Sequence, residues 1–503
     1  MQRQPFLLYI MKKIILIFFL LTTVLTIAQT ELIAYPAVGK GVASTFVTDY
    51  HALGINPANL GWKAYDDKSV TFGTTELGFS VNSEALTNQG LRDDIKGIVL
   101  NRTLDSLSSE EKLQAIQSFT DNPFNFSFNS NIFGISYQNE VFGGIALSIR
   151  TRVNWSSNFN QEFTDLLFKG NQSSYFDSLS YVNGIDTSMV ENNGTYVDSS
   201  GVVLNGQANI PLNISQLIDD TSLKLSWNRE YHFGYGRRIF NIEDNIEVFA
   251  GVGVKYIQGI AYFNLESEGG NLKMISALSS GFDLDYGIAA LNNPYALNQN
   301  PEKIFKSSVG NGWGFDLGAH VLLLNKIHIA ASVTDIGSMT YTGNVYEALD
   351  TLVVDISNSG LQDVNITNSV PNLLEDTGLL KLKGKERFTV SLPATFRIGG
   401  SIELGKVAHF GVDLVAPLND VPGSFNAFSW GVGGDIKLFK GSIVIMTGMT
   451  GGGGHSVQIP LGINFVLKGG TYELGIASRD AVTFFRDNAP SISAAMGFAR
   501  IRF

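Results

Sequence analysis

Segments of about ten residues in which apolar and polar side chains alternate recur from residue 68 to the end of the chain. In residues 141–155, Ile145 and Leu147 fall on one face, while Ser148 and Arg150 fall on the other. Such alternation is typical of a β-strand that has one apolar face. The strands predicted from this pattern are 68–82, 124–138, 141–155, 222–238, 246–264, 312–324, 327–342, 386–403, 406–416, 427–438, 441–449, 455–467, 470–482 and 491–503.

The connections between these strands alternate between short turns, such as 139–140, and long loops, such as 83–123 and 156–221. Bacterial outer-membrane barrels have this arrangement, with short periplasmic turns and long extracellular loops. We therefore predict an all-β protein, a transmembrane antiparallel β-barrel of about 14 strands that spans residues 68–503. Segment 271–287 is assigned to an extracellular loop, with an extra hairpin arm as the alternative.

The N-terminus has the pattern of an export signal. In residues 11–30, MKKIILIFFLLTTVLTIAQT, two lysines precede an apolar run, and Thr26 and Ala28 occupy the −3 and −1 positions of a cleavage site. We predict a signal peptide at 1–28, with the true start at Met11; a membrane anchor is the alternative. The apolar run is short for a membrane-spanning helix, and no second apolar run follows. If the chain spans a membrane, it must therefore do so as a closed β-barrel. This predicts the outer membrane of a Gram-negative bacterium, with outer-membrane lipid around the wall.

Composition agrees with a large sheet that keeps one face out of water. Charged residues make up 16% of the chain, against roughly 25% in soluble domains. The absence of Cys excludes disulfides and thiolate chemistry. The formal net charge of −11, without a basic stripe, argues against nucleic acid as a partner.

Candidate chemistry is sparse along the chain. His320 and His328 are eight residues apart with a turn between them, and no histidine lies at a recognised metal-ligand spacing. The GGGGHS stretch at 451–456 lacks the Lys-Ser/Thr ending of a phosphate loop, and the acidic residues of 343–385 lack a compact calcium-loop spacing. We therefore predict no catalytic residue, metal or cofactor, and no enzyme.

The stretch GKGVASTFVTDYHALGINPANLGW, residues 39–62, resembles the N-terminal signature of the FadL family of outer-membrane hydrocarbon transporters. That signature joins a run of small residues, an acidic residue and Asn-Pro-Ala before an apolar residue. In the family the segment is a hatch that plugs the barrel, so the resemblance implies a luminal hatch at 29–67. Segments 332–341 and 392–404 are similar to FadL-like barrels that include the PorV-like barrels of the type IX secretion system. The residues assigned to the hatch and ligand passage are Asp49, Gly54, Asn56, Pro57 and Ala58.

A slip in the alternation interrupts the strand that contains FNFSFNSNIFGISY. Apolar residues occupy even positions up to Phe128 and odd positions from Phe133, so the phase changes at Asn129, Ser130 and Asn131. A phase change indicates a β-bulge or a kink. We interpret it as a candidate lateral gate in the barrel wall; an ordinary bulge or a shorter strand is the alternative.

Charged side chains of both signs occur on the face predicted to line the lumen. They are consistent with an internal salt-bridge lattice, or with the lining of a water-filled pore. The last strand, SISAAMGFARIRF, ends in Phe503 and resembles the C-terminal signal that the barrel assembly machinery recognises for membrane insertion. The residues assigned to the charge lattice are Arg150, Arg152, Glu230, Asp435, Lys437 and Arg500.

The resemblance to the FadL family implies passive uptake of hydrophobic small molecules, such as fatty acids or hydrocarbons, past the hatch. The similarity to PorV-like barrels implies an alternative, a barrel that transports nothing and docks a secretion-system or surface protein. The long polar loop 156–221 suits protein contact as well as ligand capture.

Overall fold

The computed structural model describes residues 32, 34–63, 67–93, 106–183, 186–193, 202–242, 245–298, 306–362, 369–374, 379–424, 427–452, 455–484, 486 and 489–503. The predicted signal peptide and Met11 lie outside these residues, as do the loop acids Asp363 and Glu375.

Fourteen antiparallel strands form a closed barrel in the described part of the chain, which confirms the predicted fold class. The first strand pairs with the last, from Thr71 opposite Arg502 to Asn82 opposite Ser491, and this pairing closes the wall. The strands are β1 (Val70–Asn82), β2 (Phe124–Asn139), β3 (Gly143–Asn158), β4 (Ser222–Ile242), β5 (Ile246–Glu268), β6 (Gly310–Leu323), β7 (Ile327–Tyr341), β8 (Phe388–Ser391 and Thr395–Leu404), β9 (Ala408–Pro417), β10 (Ser429–Leu438), β11 (Ile443–Gly452), β12 (His455–Gln458 and Leu461–Leu467), β13 (Tyr472–Ser478) and β14 (Ser491–Arg502).

The alternation of the sequence becomes an apolar outer face and a polar inner face. Along β6, Trp313, Phe315 and Leu317 are each more than half exposed, while Asp316 and His320 between and beyond them are buried. Because successive side chains of a strand point to opposite faces, one residue type per face yields a wall that is apolar outside and polar inside.

One end of the barrel carries the short turns and the other carries the long loops. We call these the turn end and the loop end. At the loop end β5 continues past the barrel and pairs with strand Asn271–Leu278. For segment 271–287 the alternative of an extra hairpin arm therefore holds in its first half, because residues 271–278 pair with β5 as an extension at the loop end. That strand pairs in turn with Val345–Leu349, which pairs with Lys381–Gly384.

The loop end also contains an apolar cluster built around short helices. Helix α1 (Ser109–Phe119) and helix α2 (Gln161–Lys169) contact each other through stacked Phe119 and Phe168, whose ring centroids are 5.9 Å apart. Ser108 and Glu111 form the capping box of α1. No helix among the described residues is both long and apolar enough to cross a membrane.

Asp165 of α2 ties this helix to the turn that follows it. Its carboxylate bonds Lys169 Nζ at 2.6 Å and accepts hydrogen bonds from Ser173 Oγ and Ser174 N, each at 2.7 Å. Burial acts to raise the pKa of Asp165, but these bonds outweigh it and hold the pKa below its usual value.

A small four-stranded sheet lies apart from the barrel wall at the loop end. It consists of Ser178–Asn183, Asp186–Glu191, Val202–Gln207 and the two residues Asp355–Ile356. Strand Asp186–Glu191 is exposed along its whole length and forms one edge of this sheet.

Candidate functional site in the barrel lumen

The N-terminal segment, residues 34–63, folds into short helical turns instead of strands. Pro36 lies in the first turn of helix Tyr35–Val38, and Pro57 opens the 3₁₀-helix Pro57–Gly61. Asn56 caps that second turn, since its Oδ1 accepts a hydrogen bond from Ala58 N at 3.1 Å. Proline at the start of a helix and asparagine before it are favoured because the first amides have no partner within the helix.

The segment lies inside the barrel, because its partners belong to strands on every side. Asn56 Nδ2 donates to Ala319 O of β6 at 3.1 Å, and Arg150 of β3 donates to Leu53 O at 2.8 Å. On other sides Ile55 O accepts from Ser332 of β7 at 2.6 Å. Further contacts reach the wall through Lys40 to Asp435 at 2.8 Å, Ser44 N to Asp413 at 2.8 Å and Gln138 Nε2 to Leu60 O at 3.0 Å.

Glycines of the wall make room for this segment. A Cβ added to Gly318 would overlap Asn56 Oδ1, and one added to Gly251 would overlap the backbone at Pro57 and Ala58. The Asn-Pro-Ala turn therefore rests directly against the backbones of β5 and β6. Gly54, by contrast, has a positive φ of 75°, which its lack of a Cβ permits.

A buried group of four charges holds Asp49 to the wall. Its carboxylate forms an ion pair with Arg500 of β14, and Arg500 also contacts Glu473 of β13 at 3.3 Å. Arg502 bonds Glu473 at 2.7 Å, and each of the four side chains is at most 7% exposed. The two carboxylates balance the two guanidinium groups, as burial of charge requires.

A second group of luminal charges lies across β3 to β7. Lys255 contacts Asp316 at 3.0 Å and Asp335 at 2.6 Å, and Arg152 contacts Glu230 at 3.5 Å and Asp335 at 3.8 Å. These residues form the kind of lattice expected from the mixed charges of the lumen face. Sequence reasoning missed Lys255, Asp316 and Asp335, although their even or odd positions placed them on the inner face.

Of the six residues assigned to one lattice, Arg152 and Glu230 lie in this group, whereas Asp435 and Arg500 bind Lys40 and Asp49 of the N-terminal segment. The other two residues, Arg150 and Lys437, behave differently. Arg150 directs its guanidinium to the carbonyl oxygens of Tyr50 and Leu53, at 3.0 and 2.8 Å, and so holds the N-terminal segment. Lys437 is exposed near the turn end of β10 and corrects the expectation that it lies within the lattice. The side chain lies where the strand leaves the lumen, and alternation alone does not show where that point is.

The predicted phase slip corresponds to a shift of register at Ile132. On β3, Asn131 pairs with Arg150 and Phe133 with Ile149, so Ile132 is the extra residue of a bulge. Asn129, Ser130 and Asn131 themselves pair with β1 and with β3. The wall is therefore continuous at these three residues in this conformation.

The interruption instead falls beside Ile132, on the side of β1. The β1–β2 ladder steps from Gly73 to Glu76, and Thr75 between them has a positive φ of 57°. Glu76 lies under this irregularity and accepts hydrogen bonds from Tyr50 Oη at 2.6 Å and Asn131 Nδ2 at 2.7 Å. The carboxylate of Glu76, on β1, thus connects the N-terminal segment to β2 beside the bulge.

Two cavities lined mainly by apolar residues are small, whereas an opening of about 670 Å³ at the loop end is lined by polar and charged residues. One of about 50 Å³ lies between Val42 of the N-terminal segment and Asp413 and Trp430 of the wall. A second, of about 30 Å³, lies at the loop end between Phe163, Leu167 and neighbouring apolar residues. Pockets for small molecules are usually about 300–1,000 Å³. The cavity beside the N-terminal segment is therefore too small for a ligand of that kind.

Phe503 and Asp350, one of the acidic residues of 343–385, have structural roles. Phe503 is 64% exposed at the end of β14, and its carbonyl oxygen accepts from Val70 N at 2.8 Å, which helps to close the barrel. Asp350 accepts two hydrogen bonds from Ser215, at 3.0 and 2.8 Å, and so joins two loops.

Sequence reasoning also missed a cluster of histidines at the turn end of the lumen. His320 Nε2 lies 2.9 Å from His328 Nδ1, and His328 Nε2 lies 3.3 Å from Glu403 Oε1. His409 is the neighbour of Glu403 across the β8–β9 ladder. The available signal was the position of all four residues close to short turns on successive strands.

Comparison with known proteins gives a partial family match and several similar structures. Residues 181–431, just under half of the 503, match the profile of a family described as a family of unknown function (DUF5723). No curated protein matches the chain.

Among solved structures, the chain is similar to the toluene transporter TodX of Pseudomonas putida, with 11% identity, coverage of 96% of this chain and 99% of that chain, and a TM-score of 0.41. The corresponding values are 11%, 94%, 99% and 0.42 for the toluene transporter TbuX of Ralstonia pickettii. They are 12%, 95%, 96% and 0.38 for a FadL homologue of Pseudomonas aeruginosa. At these identities and scores the likeness carries no argument about ligand or activity, and the closed barrel is established by the strand pairing itself.

Proposed function

We propose that the protein is an outer-membrane channel for passive uptake of hydrophobic small molecules, and that its N-terminal segment is a movable hatch. The observation that carries the proposal is the plugged lumen. The segment fills the barrel, is held to the wall by the hydrogen bonds and ion pairs described above, and leaves a cavity of only about 50 Å³ beside it. A solute that enters the lumen can leave it only when this segment moves.

The chemistry of the loop end supports a hydrophobic cargo. Phe163, Leu166 and Leu167 of α2 face an apolar groove that Leu373 and Leu379 complete. Transfer of each methylene group from water into such a groove is favourable by about 0.8 kcal/mol. The cavity in this groove is only about 30 Å³, so capture of a molecule there requires the loops to move apart. The captured molecule then needs no energy source to continue into lipid, because lipid offers it the same gain.

We place the loop end outside the cell and the turn end in the periplasm. Long external loops and short periplasmic turns are the rule for bacterial barrels. The apolar outer face of the strands suits lipid, and the resemblance of residues 39–62 to the FadL signature supports the same orientation, with the segment entering from the periplasmic side.

We propose that the cargo leaves sideways, between β1 and β2 beside Ile132. The backbone pairing of β1 with β2 is interrupted between Gly73 and Glu76, where the side chain of Thr74 donates to Ile132 O at 2.7 Å. Glu76 connects this interruption to Tyr50 of the segment. Movement of the segment would withdraw Tyr50 from Glu76 and loosen the edge.

An engineered disulfide between the segment and the wall tests whether the segment moves. Because the chain has no Cys of its own, no other disulfide can form within it. A Cβ placed on Gly41 would lie 3.8 Å from the Cβ of Thr450 on β11, close to the mean of about 3.8 Å for disulfides. Gly41 has a φ of 71°, so a Cys there costs roughly 1–2 kcal/mol. The reduced double variant and the two single variants control for that cost.

Uptake of radiolabelled oleate and of toluene would be measured in a Gram-negative host that lacks its own FadL-type transporter. We expect Gly41→Cys/Thr450→Cys to take up at least one probe when reduced and to fall to the host background when oxidised. Equal uptake in both redox states would refute a movable hatch. No uptake by the wild-type protein would refute these cargo classes.

The docking alternative is favoured by one observation, the exposed edge strand Asp186–Glu191. Met189 is 55% exposed there and Val190 is 41% exposed, and an uncovered edge strand can pair with a strand of another protein. Mass spectrometry of the protein gently extracted from its native membrane tests this. A stoichiometric protein partner that Met189→Lys removes, together with no uptake of either probe, would favour docking over transport.

We also propose that the barrel assembly machinery recognises β14 through its terminal Phe503. Deletion of Phe503 is expected to lower the amount of folded protein in the outer membrane, measured by heat-modifiable migration on a gel. Phe503→Tyr, which keeps an aromatic ring, is the matched control. Equal folded amounts for the deletion and the control would refute this recognition.

A further inference from the structure

Four potential metal ligands converge at the turn end of the lumen, beneath the N-terminal segment. His320 near the end of β6, His328 at the start of β7, Glu403 near the end of β8 and His409 at the start of β9 lie on consecutive strands. One ligand atom from each of His328, Glu403 and His409 lies within 4.8 Å of the others. His320, His328 and His409 are buried, and the Glu403 side chain is 37% exposed.

The hydrogen-bond network assigns the protons of two of these rings. Asn59 Nδ2 donates to Ser44 O at 2.9 Å and to Val47 O at 2.7 Å, so Asn59 Oδ1 is the acceptor that faces His320. His320 Nδ1, 2.6 Å away, must therefore carry a proton and donate it. In the neutral ring, His320 Nε2 is then an acceptor.

The same reasoning continues to His328. Its Nδ1 lies 2.9 Å from His320 Nε2 and must donate to it. The neutral His328 ring therefore presents the lone pair of Nε2, and that atom lies 3.3 Å from the carboxylate oxygen of Glu403. A lone pair and a carboxylate repel each other, so a positive charge belongs between them, either a proton on Nε2 or a metal ion.

We propose that His328, Glu403 and His409 bind a divalent transition-metal ion of the zinc class. Two imidazole nitrogens and one carboxylate oxygen are a ligand set that Zn²⁺ accepts, with bonds of about 2.0–2.2 Å. Ligand atoms around such an ion are roughly 3.3–3.6 Å apart, so side-chain rotations of about 1 Å close the observed spacing. The partly exposed Glu403 side chain gives the ion a path from the turn end.

Residues around the three ligands form hydrogen bonds to the histidine rings, as outer partners do in known metal sites. His320 orients His328 through its remaining nitrogen, and Ser401 Oγ lies 2.8 Å from His409 Nε2. Outer partners of this kind fix the ring orientation of metal-binding histidines. His320 is itself held by Asn59, so the site is linked to the N-terminal segment. The ring of Trp62 also lies 5.4 Å from that of His328.

Metal titration of the untagged protein in detergent tests the proposal, and it does not depend on transport. After treatment with a chelator, the protein would be titrated with Zn²⁺ by calorimetry and with Co²⁺ by visible absorption. We expect one equivalent to bind and Co²⁺ to show the bands of a low-coordinate nitrogen–oxygen site. His455→Gln, which changes a histidine at the loop end of the barrel, is the matched control and should bind like the wild type.

Variants of the ligands decide the assignment. Glu403→Gln changes the most exposed ligand and should lower affinity more than about tenfold, and His409→Asn likewise. His320→Gln, a positioning residue, should lower it by about 10–100-fold while keeping the Co²⁺ bands. Heat-modifiable migration would show that each variant is folded. Absence of stoichiometric binding by the wild type, or equal affinity in Glu403→Gln and His455→Gln, would overturn the metal site and leave a protonated His328 as the partner of Glu403.

Discussion

Replacement of Asp49 by Asn tests whether buried charge holds the N-terminal segment in the barrel. The substitution keeps the shape of the side chain and removes one of the two carboxylates that balance Arg500 and Arg502. The side chains of Asp49 and Arg500 are only 2% and 7% exposed, so water does not solvate the guanidinium group that loses its carboxylate partner. Glu473 alone then faces two guanidinium groups.

The cost follows from the burial of this group. Removal of one partner from a buried ion pair destabilises a protein by about 3–5 kcal/mol, because the other charge remains buried. The segment can leave its site without unfolding the barrel, so we expect the cost to appear as release of the segment. A free-energy change of about 1.4 kcal/mol corresponds to a factor of ten. The equilibrium constant for release of the segment should therefore increase by a factor between about a hundred and several thousand.

Amide hydrogen exchange measured by mass spectrometry on the protein in nanodiscs provides the assay. Peptides that contain Asp49 should exchange faster in Asp49→Asn, while peptides of β6 should not change. The double variant Asp49→Asn/Arg500→Gln restores balance and leaves the Arg502–Glu473 pair intact. Its cost should be smaller than the sum of the single costs by about 0.5–3 kcal/mol. Costs that add within about 0.5 kcal/mol would show that the ion pair does not hold the segment.

Two further predictions concern close packing and pH. Gly318→Ala should displace the turn at Asn56 and weaken docking of the segment by about 1–3 kcal/mol. The same exchange assay measures this effect, and Gly90→Ala, at an exposed glycine, is the control. Unchanged exchange in Gly318→Ala would contradict the contact between Gly318 and Asn56. Because the pKa of Asp165 is lowered in the folded loop, its stabilisation is present above the unfolded pKa of about 3.9 and is lost as pH falls through the folded pKa. Exchange in α2, corrected for intrinsic rates, should therefore rise below about pH 4 in the wild type and depend less on pH in Asp165→Asn; equal profiles would exclude the carboxylate as the cause.

The barrel could be predicted from sequence because its physical rule is local. Each strand needs apolar residues at every second position, as Trp313, Phe315 and Leu317 show, and each turn interrupts that pattern. The sequence left segment 271–287 open between a loop and a hairpin arm, because strand Asn271–Leu278 belongs to an extension above the wall whose two faces are both partly covered. Alternation with one apolar face is then weak, and pairing with β5 and with Val345–Leu349 defines the strand.

The partners of luminal side chains were much harder to predict. Position along a strand shows that Lys255 faces inward, but its contact with Asp335, eighty residues away, depends on the stagger of β5, β6 and β7. The same holds for Asp49, because its contact with Arg500 depends on the path of the N-terminal segment through the lumen, which the sequence pattern does not show. Periodicity fixes the face of a residue, whereas register and the path of the N-terminal segment fix what it touches.

The histidine cluster shows how part of that register could have been recovered. Metal-ligand spacings used for sequence searches describe ligands on one helix or loop, so the separation of eight positions between His320 and His328 was read as too large. In an antiparallel hairpin, however, the two strands meet in order from the turn outward. Leu322 pairs with His328, which makes His320 and His328 diagonal neighbours on one face, and Glu403 pairs directly with His409 across the next short turn. Diagonal neighbours in a sheet are about 7–8 Å apart and lie within reach of long side chains. For a barrel, therefore, the informative spacing is the distance of each ligand from its turn. By that measure the four residues form one group on four consecutive strands.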